Sequence, residues 1–174
     1  MKSLLSLVSV VSVLLSPFCA SAATIHVPAD EPTIQAAIDE ATHGDLVLVD
    51  PGTYVENIVF KGKRITVRST QGADVTVIDG NGTGSVVMFV FGETPKSVLE
   101  GFTVTNGCNE NGAGIFCALS FPTITNCKII HNGALRGGGI FCTASSPVIR
   151  NCIIAGNSAW DGGGGISIGM FSTP

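Results

Sequence analysis

The feature that most constrains this chain is a repeat. Gly114-Ile115-Phe116-Cys117 returns, at an offset of 25, as Gly139-Ile140-Phe141-Cys142, and the same offset carries Pro122 to Pro147, Asn126-Cys127 to Asn151-Cys152, Ile129 to Ile154 and Asn132 to Asn157. The match lapses where Ile130 becomes Ala155. A third copy opens at Gly165-Ile166, one position beyond that offset from Gly139-Ile140, and a degenerate earlier copy shows in Leu99 and Val104, one offset before Ile124 and Ile129. Self-similarity at a fixed period of this size marks an array of supersecondary units, none of which can bury its apolar face alone.

With strand-like triplets inside each unit, one repeat reads as one full coil of a solenoid. Ile115 and Cys117 alternate with Phe116, and Cys127 and Ile129 with Lys128, so one set faces in and the other out. Parallel coils stacked about 4.8 Å apart set each inward residue on its equivalent in the next coil. The spacing therefore predicts an isoleucine column (Ile115, Ile140, Ile166), two cysteine columns and an asparagine column. Asn126 and Asn151 fall at bends, where asparagine tolerates the left-handed conformation and its amide can bond to the amide above. The glycine runs at 137–139 and 162–165 supply the other tight bends. The fold class expected is all-β, a parallel solenoid with coils of about 25 residues.

The N-terminal part has a different period. Over Thr33 to Ala41, Ile34, Ala37, Ile38 and Ala41 follow the i, i+3, i+4, i+7 rule of a helix, with Pro32 at its entrance and Gly44 placed to supply a left-handed C-terminal cap. Short β-rich runs follow: Leu46 to Val49, Ile58 to Phe60, Ile65 to Val67 and Val75 to Ile78. One helix followed only by strands reads as a cap closing one end of the stack. Before it, residues 1–22 read as a secretory signal: Lys2 is the charged start, Leu4 to Leu15 the apolar run, and Ala20-Ser21-Ala22 an A-x-A cleavage site. The run is shorter than the roughly 20 residues of a membrane span, and no second one follows. Expected are thus a signal peptide over 1–22, a cap and first coil over 23–64, and coils over 65–174. The processed chain would have no transmembrane segment and would be secreted or held at the cell surface.

Composition removes other classes. The 174 residues carry a net charge of −4 with no cluster of Lys or Arg, which speaks against a nucleic-acid partner. At 45% hydrophobic the chain is too apolar to be disordered, and 22 glycines with little helical periodicity do not suit a bundle or coiled coil.

The residues Thr33-Ile34-Gln35-Ala36-Ala37-Ile38, Gly44-Asp45 and Pro51 to Ile58 resemble the capping helix and first coil of right-handed parallel β-helices of the pectin-lyase-like superfamily. Gly52, Tyr54 and Glu56 look like the G-x-Y-x-E stretch of pectinesterases. Gly163-Gly164-Gly165-Ile166, with Asn157 upstream, is similar to the GGA[I/L/V] and FxxN repeats of polymorphic outer-membrane proteins, with Gly in place of Ala and Ile129 and Ile154 where the Phe would stand. The resemblance implies a right-handed β-helix with an N-terminal capping helix, a fold that hosts enzymes, adhesins and passive surface proteins alike.

No catalytic residue is singled out. The later pectinesterase motifs are absent, so Gly52, Tyr54 and Glu56 read as a coil turn with Tyr54 packed under the cap. From Gly101 onward the charged residues are Glu110, Lys128, Arg136, Arg150 and Asp161, too few for a calcium site with its base. No cofactor and no metal are expected, and His26, His43 and His131 are scattered. Lys128 and Arg150 read either as a pair for a sugar carboxylate or as solvated charge with no acid beside them. The one tryptophan, Trp160, precedes Asp161, a pairing able to stack on a sugar ring and hydrogen-bond its hydroxyls. Their register over Leu135 and Arg136 equally allows an apolar step and an ion pair between coils. Cys108, Cys117, Cys127, Cys142 and Cys152 follow the signal; parallel stacking points both Cβ vectors of a pair the same way, which favours stacked thiols over bridges. Two function classes stay open: a secreted or surface β-helix without catalysis, carbohydrate-binding or adhesin-like with polysaccharide or cell surface as partner, and the N-terminal part of a polysaccharide-active enzyme of the pectinesterase, lyase or epimerase type. Ending at Phe171 to Pro174 just inside a further coil, the sequence reads as truncated.

Overall fold

Alternation of inward and outward side chains, repeated coil after coil, builds the molecule. The computed structural model describes residues 21–169. From Thr123 the chain runs through four short strands, Thr123–Thr125, Lys128–Ile130, Gly133–Arg136 and Ile140–Thr143, before Val148–Arg150 starts the next coil. Stacking these turns makes four faces. The first has six strands, from Thr24–Val27 to Val148–Arg150, and the second five, from Gly52–Val55 to Ile153–Ala155. The third has three, Cys108–Asn111, Gly133–Arg136 and Ser158–Ala159, and the fourth five, from Ile58–Val59 to Ile166–Ile168. Neighbouring strands of each face pair in parallel, giving about six coils.

The register is the one the repeat predicts. Ile115 stands opposite Ile140 and Ile140 opposite Ile166, Cys117 opposite Cys142, and Ile124 and Ile129 over Leu99 and Val104. Ile115, Ile129 and Ile140 are fully buried, whereas Phe116 and Lys128 between them face outward and are half-buried. The longer step from Ile140 to Ile166 keeps this register because the glycine turn around Gly162, at φ +99°, takes up the extra residue. The coils beginning at Thr24 and Leu46 are shorter than those from Val98 onward, since the third face begins only at Cys108.

Corners are made by single left-handed residues that recur at the repeat offset. Gly101, Asn126 and Asn151 form one such column, Asn81, Asn106, His131 and Gly156 another, and Gly112, Gly137 and Gly162 a third. Asn126 and Asn151 are thus left-handed as expected, at φ +55° and +51°. The amide ladder lies elsewhere than expected. Asn126 reaches Glu100 at 3.3 Å, while it is Asn132 whose Nδ2 donates to Asn157 Oδ1 at 3.0 Å and to the Val104 carbonyl at 3.1 Å. The reason is direction: Asn132 follows the His131 corner and points inward, 1% exposed, where backbone groups such as the Gly107 N–H need a partner, supplied by Asn132 Oδ1 at 2.8 Å.

The helix Ile34–Glu40 lids the stack with Ile34, Ala37 and Ile38 buried beneath it. Thr33 is its N-cap, accepting from the Ala36 N–H at 3.1 Å, and Ala41 its C-cap, so the predicted span Thr33 to Ala41 is the helix with both caps. Gly44 is not the terminator. It sits at φ +101° but donates its N–H to the Arg64 carbonyl, and the last carbonyls are satisfied by Lys63, whose Nζ donates to those of Ile38, Asp39 and Ala41 at 2.7 Å each. At the other end the Glu56 carboxylate accepts from the N–H groups of Ile34 and Gln35, both at 2.9 Å. Gln35 Oε1 accepts from the Val59 N–H at 2.7 Å, doing for that strand edge what a preceding coil would do. Of the expected signal peptide, residues 1–20 lie outside the described residues, as do the terminal residues 170–174.

Candidate functional site

The third face is the narrowest and carries a shallow groove. Its strands register Cys108 on Gly133 and Gly133 on Ser158, with Ala134 on Ala159. Gly133 and Ala134 leave the floor low, and Cys108, Asn109, Leu135, Ser158 and Trp160 rise around it. Trp160 follows Ser158–Ala159 in alternation and so points out; its backbone N–H bonds the Ala134 carbonyl at 3.2 Å, which fixes the backbone beneath the ring. The residue is 95% exposed, and among the described residues its ring stacks on no other ring and its indole N–H has no partner. Asn109 is held in place by donating to Ser85 Oγ at 2.8 Å.

Asp161 behaves differently from its neighbour. Its Oδ2 lies 3.2 Å from Arg136 Nε across the coil step, both side chains being more than half exposed. Such an exposed pair contributes about 0–1 kcal/mol. Of the two roles readable in the sequence, the ion pair between coils thus falls to Asp161, while Trp160 is left as a free aromatic surface beside Leu135.

At the corner between the second and third faces lies a polar hollow lined by Asp79, Asn81, Asn106 and His131. Asp79 accepts from the Asn81 N–H at 2.8 Å and from Asn106 Nδ2 at 3.0 Å. The His131 imidazole makes no hydrogen bond among the described residues and lies over Gly156, where a Cβ would come within 3.0 Å of the ring. In the sequence His131 stands as one of three scattered histidines. The signal that finds it is the corner column Asn81, Asn106, His131, Gly156, each member one repeat offset after the last.

Other expectations resolve into structural roles. Lys128 does have an acid beside it, contrary to the expectation: its Nζ is paired with Asp74, which the stack brings in from the corner before Thr76–Asp79. It does not pair with Arg150, since Lys128 registers on Ile153 and Arg150 on Thr125. In the G-x-Y-x-E stretch, Glu56 caps the helix and the Tyr54 hydroxyl donates to the Asp50 carbonyl at 2.9 Å. Burial raises the Tyr54 phenol above its ordinary value. The five described cysteines are free thiols; Cys117 with Cys142 and Cys127 with Cys152 form the expected stacks, while Cys108 is exposed and stands on Gly133. The thiol of Cys127 is pushed well up by its bond with Cys152 and by burial, and Cys152, whose thiolate accepts from Cys127, is lowered to about 7. Among the described residues no three His, Cys, Asp or Glu side chains are grouped to hold a metal ion, and no helix is long and apolar enough to cross a membrane.

A helix-capped stack of parallel coils with four faces defines a β-solenoid repeat protein. The family described as the right-handed β-helix region matches over residues 32–173, and the chain belongs to that family. No curated protein matches the chain.

Proposed function

We propose that this chain is an exported β-helix that binds a neutral glycan on its third face and does not transform it. The observation that carries the reading is Trp160, an indole 95% exposed at the rim of a groove with a glycine-alanine floor. An aromatic face held over a flat apolar strip suits the C–H face of a pyranose ring, and a free indole N–H adds one directional donor. The neighbouring hollow supplies the complement: the Asp79 carboxylate, the amide of Asn106 and an uncommitted imidazole can exchange hydrogen bonds with vicinal hydroxyls. Charge selects the glycan class. Asp79 and Glu110 are acids along this strip and Arg136 is already paired with Asp161, so a polyuronate meets repulsion where a neutral chain does not. The A-x-A motif after an apolar run supports export, which puts the groove among extracellular polysaccharides.

Because Trp160 is the chain's one tryptophan, its fluorescence reports the groove alone. Titration with soluble neutral oligosaccharides should shift and saturate that emission, with polyuronate fragments of equal length weaker. His131→Gly, which keeps the left-handed corner that Gly156 makes in the next coil, should weaken binding without changing the melting temperature. An emission spectrum unmoved by any glycan would end the proposal.

A further inference from the structure

We infer that Asp45 is a built receptor for the α-ammonium of Ala23, created when the chain is cut between Ala22 and Ala23. Asp45 is 6% exposed, and its carboxylate is held from three sides: Oδ2 accepts from the Thr42 N–H at 2.7 Å and from the Thr42 hydroxyl at 2.9 Å, and Oδ1 accepts from the Ala23 N–H at 2.7 Å. Those backbone donors, Thr42 first and then Ala23, hold the carboxyl below its ordinary range, so it is charged. Among the described residues no lysine, arginine or histidine makes an ion pair with it, although the far more exposed Asp39, Asp74 and Asp161 each have a cation. Lys63 is committed to three helix carbonyls. The Lys63 ammonium lowers Asp45 only from a distance and least of the causes, so a charge withdrawn from water whose hydrogen-bond donors are all neutral is only partly compensated.

One chemical event supplies the missing cation. Hydrolysis of the Ala22–Ala23 peptide bond consumes one water, leaves a carboxylate on Ala22 and converts the Ala23 nitrogen from an amide to an ammonium. That nitrogen already sits 2.7 Å from Oδ1. It is also fixed there, because the Ala23 carbonyl accepts from the Leu46 N–H at 2.9 Å and the strand Thr24–Val27 follows at once. A hydrogen bond from an uncharged amide to a carboxylate thereby becomes an ion pair with charge on both partners. The residues before the cut, Ser21 and Ala22, are exposed and have no hydrogen-bond partners among the described residues. Ala20-Ser21-Ala22 is the A-x-A pattern that directs cleavage at this bond. The position is specified to the residue: a cut two residues earlier leaves the new charge in water, and one residue later removes the donor.

The inference rests on the export reading but not on glycan binding. The test takes the full chain, expressed with export, and measures its intact mass; the expected product begins at Ala23. The rate of α-amino acylation at pH 7 is then compared between this product and its Asp45→Asn form. An opposite charge at this distance raises an amine's pKa by at least about one unit, so less free base is present and acylation should be about tenfold slower in the unsubstituted product than in the Asp45→Asn form, whose amide is neutral. Should Asp45→Asn fail to fold, the Ala23 amine of the unsubstituted product is titrated directly, with an expected pKa above the usual range of about 7.7 to 8.0. Cleavage at another bond, or an ordinary amine pKa, overturns the inference while leaving the Trp160 titration untouched. A chain retained whole in the cell overturns it together with export.

Discussion

Cys127 and Cys152 occupy the same column of the stack, yet their thiols differ in chemistry. Cys127 is buried, and its bonds reach the Leu99 and Thr125 carbonyls, whereas Cys152 lies one coil later and is half-buried. Once Cys152 ionises, the Cys127 S–H can turn from those carbonyls to the thiolate, which lowers Cys152 to about 7, and the same contact with burial pushes Cys127 well above its ordinary value. The sign is testable. Alkylation of Cys152, followed by peptide mapping, should rise with pH through about 7 and then level off, where an ordinary thiol near 9.0 would still be climbing. Cys127→Ala removes the donor and should move the midpoint upward by a unit or more; an unchanged midpoint would show that the bond between the two sulfurs does not set it.

At the scale of elements the helical cap is held by residues that no local helix rule identifies. Glu56 and Lys63 are distant in sequence from the helix ends they bind, and both arrive there because the following coil passes beneath the helix. Glu56→Ala leaves the N–H groups of Ile34 and Gln35 without their acceptor and should lower stability by about 0.5–2 kcal/mol, the range for loss of an N-terminal cap. Glu56→Gln should recover part of it, since one amide oxygen can still accept; both are read by thermal or urea unfolding. The same distinction explains what was legible beforehand. The helix, the first, second and fourth faces and their register follow from apolar periodicity and a fixed offset, so the repeat reveals them. The third face does not announce itself: apart from the exposed Leu135, Cys108–Asn111, Gly133–Arg136 and Ser158–Ala159 are small or polar and show no apolar–polar alternation in sequence, and they are strands only because the stack lines them up. Trp160 was therefore visible as a candidate from its uniqueness, while the groove around it was not. Asp161 was visible too, but its partner Arg136 decides its role.

At the scale of the whole molecule, each coil touches chiefly the one before and the one after, so the protein is close to one-dimensional. The inward column of the fourth face runs Ile58, Val87, Ile115, Ile140, Ile166, each registered on the next. Burying Ile140 between two neighbours makes its truncation expensive: Ile140→Ala should cost about 2–5 kcal/mol. The more discriminating measurement is how that cost depends on other positions. Ile115 and Ile140 are in contact across one coil step of about 4.8 Å, and a double-mutant cycle between them should show a coupling of about 0.5–3 kcal/mol, because the first cavity already removes part of what the second would lose. Ile58 is three steps from Ile140, about 14 Å, beyond the separation at which substitutions interact directly, and that cycle should be additive within about 0.5 kcal/mol. Urea denaturation of the single and double variants decides it. Equal coupling in both cycles would mean that the core acts as one body and that the nearest-neighbour description of this stack is wrong.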